Sequence, residues 1–169
     1  MPELPDVEIF RQYGESNALN QSIEKISIAE PKIAENTEGQ FNNKLKGHQF
    51  THADRMGKYL LFPSTGENVL VMHFGMTGWL EYNRGKMHQH TRASIVFSNG
   101  YALHFINPRK LGRIALANDP DDFLKEKKVG YDALAIKLEQ FQDIIRKKKG
   151  TRKSFQIGRA SCRERVCHR

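Results

Sequence analysis

Cysteine is missing from the first 161 residues of this 169-residue chain; the only two, Cys162 and Cys167, lie in its last eight positions. Together with His168 they make three candidate ligands at C-x4-C spacing, one short of the four that a structural zinc site takes. No metal site is expected from the residues present. No apolar run approaches the roughly 18–20 residues of a membrane-spanning helix. The N-terminus is acidic and lacks the apolar stretch of a secretory signal. No membrane partner is expected, and the expected location is intracellular, in the cytoplasm or nucleoid. Internal repeats and low-complexity tracts are absent too.

Excess positive charge is also missing from most of the chain. The formal net charge of +8 suggests an anionic partner such as nucleic acid. Residues 1–145, however, hold 17 Lys and Arg against 18 Asp and Glu. The basicity sits in residues 146–153, with six positive charges, and in residues 158–169, with a net of three. Basic composition therefore says little about the first 145 residues. The run at 146–153 also fits a solvated helix end, where cations are favourable.

What is present is a polar globular composition, 38% hydrophobic and 27% charged, long enough for one domain or one domain plus a fragment. Residues 3–18 have helical spacing: Val7, Phe10 and Ala18 share a face, with Ile9 and Tyr13 near its edges. Pro5 is tolerable only in a first turn, so the helix starts at about Glu3. From residue 22 the period becomes two. Strands are expected at 23–28, 49–54, 58–63, 69–74, 79–82, 93–98, 102–106 and 113–116, with a hairpin turn at Asn99-Gly100. Many short strands with frequent turns indicate a β-sandwich or barrel. Residues 119–128 read as a charged linker, and Leu134, Leu138, Phe141 and Ile145 mark a further helix. Residues 157–169 have no hydrophobic period and an abrupt change of composition, and read as a non-native tail.

The chemistry concentrates in Met1-Pro2-Glu3-Leu4-Pro5-Asp6-Val7-Glu8. With Met1 removed, Pro2 carries the α-amine as a secondary amine. An α-amine has a reference pKa of about 7.7–8.0 against about 10.4 for lysine, and the start of a helix disfavours its ammonium form further. Amines attack carbonyl-type carbons to give Schiff bases, and the neighbouring Glu3 carboxylate can move protons. Taken as residue types alone, the same string is ordinary helix-start grammar.

Four further blocks decide between these readings. They are Gly57-Lys58-Tyr59-Leu60-Leu61, His73-Phe74-Gly75-Met76-Thr77-Gly78, Asn107-Pro108-Arg109-Lys110-Leu111-Gly112 and Val129-Gly130-Tyr131-Asp132-Ala133-Leu134. With the opening octapeptide, in this order, the chain resembles the N-terminal catalytic domain of the formamidopyrimidine-DNA glycosylase / endonuclease VIII family. The resemblance spans residues 2–155, and Leu4 favours the formamidopyrimidine branch.

The resemblance implies a mainly β fold with flanking helices: a two-sheet antiparallel β-sandwich led by an N-terminal helix, plus the start of a helical second domain. The implied division is a catalytic domain at 1–118, a linker at 119–133, a truncated helix–two-turn–helix domain at 134–156 and the tail at 157–169. It implies a bifunctional DNA glycosylase and AP lyase of base excision repair, acting on oxidised purines such as 8-oxoguanine in double-stranded DNA and on abasic sites, as a monomer. Pro2 matches the family nucleophile, Glu3 the acidic proton shuttle and Lys58 the lysine beside the lesion phosphate. Met76 and Arg109 match residues that fill the gap left by an extruded base. Leu111 stands where purine-specific members usually carry Phe, and Asp6 where Glu is usual. His73, His88 and His90 match or neighbour backbone-contacting positions, and Lys110 is a further DNA-binding candidate. The family's zinc finger, with its zinc ligands and a phosphate-binding Arg, and the phosphate-binding Asn of its second domain have no counterpart here. A catalytically impaired damaged-DNA-binding fragment is the alternative expectation.

Overall fold

A computed structural model describes residues 2–132 and 136–147. Helix α1 (Leu4–Ala18) leads, with Pro5 in its first turn. Its buried stripe is Leu4, Val7, Gly14 and Ala18, with Phe10 packed beside it. Ile9, expected near the edge of that face, is 61% exposed. Tyr13 is at the solvent edge, where its hydroxyl accepts a hydrogen bond from Tyr82 N at 2.8 Å.

Eight strands follow: β1 (Ile23–Ile28), β2 (Asp54–Met56), β3 (Tyr59–Pro63), β4 (Val69–His73), β5 (Trp79–Asn83), β6 (Thr91–Phe97), β7 (Ala102–Ile106) and β8 (Arg113–Ala117). They form two antiparallel four-stranded sheets, ordered β1-β6-β7-β5 and β2-β3-β4-β8. The sandwich and its leading helix are as the sequence predicts; the hairpin expected as a two-residue turn at Asn99-Gly100 is present with a three-residue loop, 98–100, closed by Phe97 N donating to Tyr101 O and Gly100 N to Phe97 O. The core lies between the sheets, built on Phe50, Phe62, Phe74, Phe97 and Phe105, all at or below 1% exposure. The apolar runs in β3 and β4 are nearly continuous because both faces are covered: Leu60 and Met72 face the core, while Tyr59, Leu61 and Val71 join an outer cluster.

Three local expectations are corrected. The segment 49–54 is not one strand; Gln49 bridges Ser22, Phe50 bridges both Leu19 and Ser64, and a ladder starts only at Asp54. Its backbone bonds are divided between two neighbouring segments: Phe50 O accepts from Asn20 N, and Gln49 O from Thr65 N. Helix α2 (Glu38–Leu45), not foreseen, buries Phe41 and Leu45, one turn apart, and starts at a capping box between Thr37 and Gln40. Part of the charged stretch after Asn118 is helix α3 (Pro120–Glu126), capped by Asp119 Oδ1 accepting from Asp121 N at 2.8 Å. Its Leu124 is buried in the outer cluster of the second sheet, and Phe123 packs against the same cluster.

Helix α4 (Leu138–Lys147) covers the last expected helix from residue 138 onward, with Ile136 and Lys137 outside it, and its Leu138 is 69% exposed. Leu134, most of the basic run at 146–153, the cysteines and the tail at 157–169 lie outside the described residues. Among the described residues, no helix is long and apolar enough to cross a membrane. No group of three or more His, Cys, Asp or Glu is placed to hold a metal ion among them.

Candidate active site

Pro2 stands just before α1, half-buried. Glu3 is the extended N-cap residue, with φ −98° and ψ 180°. Its backbone N donates to Asp6 Oδ2 at 2.7 Å, so the carboxylate of Asp6 reaches back across the first turn and fixes the direction in which Glu3 leaves the helix. Lys58 follows Gly57 in the β2–β3 turn, where Gly57 takes φ +57°, a conformation that favours glycine. The Lys58 side chain is only 6% exposed, and its Nζ stands 2.9 Å from Glu3 Oε2. That ion pair brings the sequence-predicted acid and lysine together beside Pro2. No described group hydrogen-bonds Nζ, and a buried ammonium without compensation is costly, so the carboxylate is its principal support.

A second charge network holds the Lys58 turn from behind. The buried Asp132 carboxylate accepts from Gly57 N at 2.7 Å and from Arg55 Nη1 and Nη2 at 2.5 and 3.2 Å. Arg55 Nη1 also donates to Gly57 O at 3.0 Å, and its Nε donates to Glu8 Oε2 at 3.1 Å. One planar guanidinium therefore ties α1, the Lys58 turn and the segment after α3. Desolvation works against its charge, but Asp132 and Glu8 outweigh it and hold the Arg55 pKa above its ordinary value. Desolvation likewise pushes the Glu8 carboxyl up, and hydrogen bonds from Arg11, Gln12 and Arg55 overcome it and hold the pKa below the usual value. Glu8 and Asp132 lie in motif blocks, but sequence reasoning missed their roles and Arg55 altogether. No local spacing announces a contact between such distant positions.

The other predicted residues gather on the two connections that cross between the sheets. Residues 74–78 run from β4 to β5 and carry Met76, 40% exposed; residues 107–112 run from β7 to β8 and carry Arg109, Lys110 and Leu111, the last 46% exposed. The two turns touch through backbone. Gly75 has φ +61°, and a Cβ there would lie 2.5 Å from Leu111 C and 2.6 Å from its O. Lys110, also left-handed at φ +55°, is ion-paired with Glu30, and its ammonium holds the Glu30 carboxyl below its ordinary pKa.

The histidines are spread more widely. His73 ends β4 beside Tyr59, with ring centroids 5.0 Å apart. His88 and His90 belong to the β5–β6 connection. The His88 ring lies against Trp79 at 5.3 Å, and His90 Nδ1 is 3.3 Å from Arg92 Nη2. His88 and His90 therefore line the first sheet's side of the crossing turns, on a different connection from the Glu3–Lys58 pair. His104, which sequence reasoning did not single out, is buried with Nδ1 2.8 Å from Ser94 Oγ.

Residues 1–114 match the family model for the formamidopyrimidine-DNA glycosylase N-terminal domain. A formamidopyrimidine-DNA glycosylase from Pelobacter propionicus is 34% identical over 124 residues, covering 72% of this chain and 46% of that protein. Its counterpart from Ligilactobacillus salivarius is 35% identical over 118 residues, covering 69% and 43%. Among solved structures, the Lactococcus lactis Fpg (MutM) protein in complex with DNA containing N7-benzyl-Fapy-dG matches at a TM-score of 0.71 and 26% identity, covering 76% of this chain and 49% of that one. The chain thus spans about half the length of the relatives it matches.

Proposed function

Because the chain belongs to the formamidopyrimidine-DNA glycosylase family through its N-terminal domain, we propose that it carries the reactive half of a base-excision-repair DNA glycosylase and AP lyase directed at oxidised purines. The observation that carries this reading is the Glu3–Lys58 pair at 2.9 Å, next to Pro2 and at the head of α1.

In the proposed reaction the Pro2 nitrogen, freed of Met1, uses its lone pair to form a bond to C1′ as the glycosidic bond breaks and the base leaves. The base leaves with the glycosidic electron pair and is protonated by water. Bond formation leaves a proton on the Pro2 nitrogen; the Glu3 carboxylate accepts it and passes it to the sugar ring oxygen, which opens the ring and leaves an iminium between Pro2 and C1′. The iminium acidifies the adjacent C2′–H. Loss of that proton expels the 3′ phosphate by β-elimination, and a second elimination expels the 5′ phosphate. Water then hydrolyses the imine and returns the free amine. Lys58 supplies a point cation that orients the Glu3 carboxylate, 2.9 Å away, and neutralises a phosphate beside the lesion. Met76, Arg109 and Leu111 enter the duplex where the damaged nucleotide is extruded.

Zinc is proposed only for a further part of the family's architecture. Its finger ligands are not among the residues described, and none of the steps above uses a metal.

Borohydride trapping on abasic DNA tests the reading. The expected result is a covalent adduct whose mass maps to Pro2 and which is lost when the terminus is acylated or Met1 is retained. An adduct on a lysine would overturn the assignment. No adduct, with abasic duplex still preferred over intact duplex, would favour the second reading, a damaged-DNA-binding chain without turnover. That reading is favoured by how fully the two crossing turns are formed by this chain's own residues.

A further inference from the structure

The contacts beneath the two crossing turns converge on one side chain, Asn107, which is completely buried. Its Nδ2 donates to Phe74 O at 2.9 Å, in the turn that carries Met76. Its Oδ1 accepts from Leu111 N at 3.1 Å, in its own turn. Its backbone is engaged as well: the N donates to His90 O at 3.0 Å, and the O accepts from Arg92 Nε at 3.0 Å and Lys110 N at 3.2 Å. Asn107 thus links all three connections at this end of the sandwich.

The surroundings are cut to fit this carboxamide. A Cβ at Gly78 would lie 2.5 Å from Phe74 O and 2.8 Å from Asn107 Nδ2, on the hydrogen bond itself. Every polar atom of the side chain is directed at backbone, and none faces solvent. A buried amide bridging two turns is more than is needed to close one turn, since the Gly78 N→Phe74 O bond at 3.0 Å already closes the Met76 turn.

We infer that Asn107 is a positioning residue: it locks the Met76 turn to the Arg109–Leu111 turn so that both enter the duplex as one rigid wedge. This rests on the DNA reading proposed above. Both functions of the amide are needed. Aspartate at this position keeps the size and the acceptor for Leu111 N but sets a carboxylate oxygen against Phe74 O. Leucine keeps the volume and loses both bonds. Losing one of these buried hydrogen bonds is expected to lower the population of the locked arrangement about tenfold, the equivalent of about 1.4 kcal/mol.

The test uses the full chain and a duplex holding a tetrahydrofuran abasic analogue with 2-aminopurine opposite it. For Asn107→Asp, binding to this duplex is expected to weaken about tenfold relative to intact duplex, with the 2-aminopurine response lost. The salt dependence of binding should stay unchanged, because phosphate contacts are retained. A role in general stability would lower both affinities together and leave their ratio intact, and that outcome overturns the proposal. Glu30→Gln, a change at the rim that releases Lys110 without touching the buried amide, guards against misfolding of the first variant. It should weaken the backbone NOEs between Gly75 and Leu111 only slightly, whereas Asn107→Leu should abolish them; equal NOEs in all three proteins would overturn the proposal. Met76→Ala separates this inference from the DNA reading. If Met76→Ala leaves the 2-aminopurine response unchanged, the wedge reading fails. If Met76→Ala removes it and Asn107→Asp does not, only the positioning role fails.

Discussion

The Lys58 ammonium stands 2.9 Å from Glu3 Oε2, with Lys58 6% and Glu3 42% exposed in their side chains. The pair is unequal: the cation is buried and the carboxylate is partly hydrated. Removing the cation therefore strands no buried charge, and its desolvation cost disappears with it. Lys58→Met is expected to leave stability in urea within about 1 kcal/mol of the parent. The yield of borohydride-trapped adduct on abasic DNA should fall at least about tenfold, a loss of about 1.4 kcal/mol in transition-state stabilisation. An undiminished yield would remove Lys58 from the reaction.

Arg55 reaches Asp132 with two nitrogens and Glu8 with the third. A lysine at this position keeps the charge but cannot present three directed donors in one plane. Arg55→Lys is expected to destabilise the chain by about 2–4 kcal/mol, since the buried Asp132 carboxylate loses its two-pronged contact with the guanidinium and keeps Gly57 N as a donor. Urea denaturation measures this directly. A loss below about 0.5 kcal/mol, the size typical of an ordinary surface change, would show that the segment around Asp132 is not clamped through Arg55.

Leu111 is 46% exposed at the tip of its turn, so a larger side chain meets no core. Leu offers an apolar wedge without an aromatic face. Leu111→Phe is expected to leave the melting temperature unchanged and to tighten binding to an abasic-site duplex about fivefold, the low end of what stacking one base on an aromatic ring contributes. Competition binding against intact duplex at fixed salt reads the change. Equal tightening for both duplexes would mean that Leu111 does not enter the vacated site.

The parts of this fold that were legible in sequence are those with local grammar. Period-two runs placed the strands, Asn99-Gly100 placed a hairpin, and Pro5 placed the start of α1. Helix α2 was also legible in principle, because Thr37 and Gln40 form a capping box, but only two apolar residues, Phe41 and Leu45, back it. Segment 49–54 reads as a strand from its pattern, and Phe50 and Ala53 are indeed buried; its backbone partners lie on two different segments, which no local pattern encodes. The site divides in the same way. Pro2, Glu3 and Lys58 belong to short motifs, whereas Asp132 meets Arg55 and Asn107 meets Phe74 only through the packing of the sandwich.

His104 gives the fold a pH dependence whose sign follows from its burial. It lies 4% exposed on β7, with Nδ1 near Ser94 Oγ and Glu81 opposite on β5. Desolvation lowers its pKa below the ordinary value of 6.5, and the nearby Glu81 charge offsets only part of this. In the unfolded chain the same imidazole takes up a proton near its reference pKa of about 6.5. Between the folded and unfolded values the unfolded state binds more protons, so stability rises with pH across that window. The contribution is complete above the unfolded pKa and is lost as pH falls through the folded one. The slope from this one proton is at most about 1.4 kcal/mol per pH unit. Urea denaturation between about pH 5 and pH 8, where an unperturbed histidine titrates, should show this slope in the parent chain and a flatter one in His104→Gln. An unchanged slope in the variant would assign the acid sensitivity between about pH 5 and pH 8 to a group other than His104 and Glu8. The lowered pKa of Glu8 places its own loss of stability further into acid, below the ordinary carboxylate value of 4.5, so the two contributions separate along the pH axis.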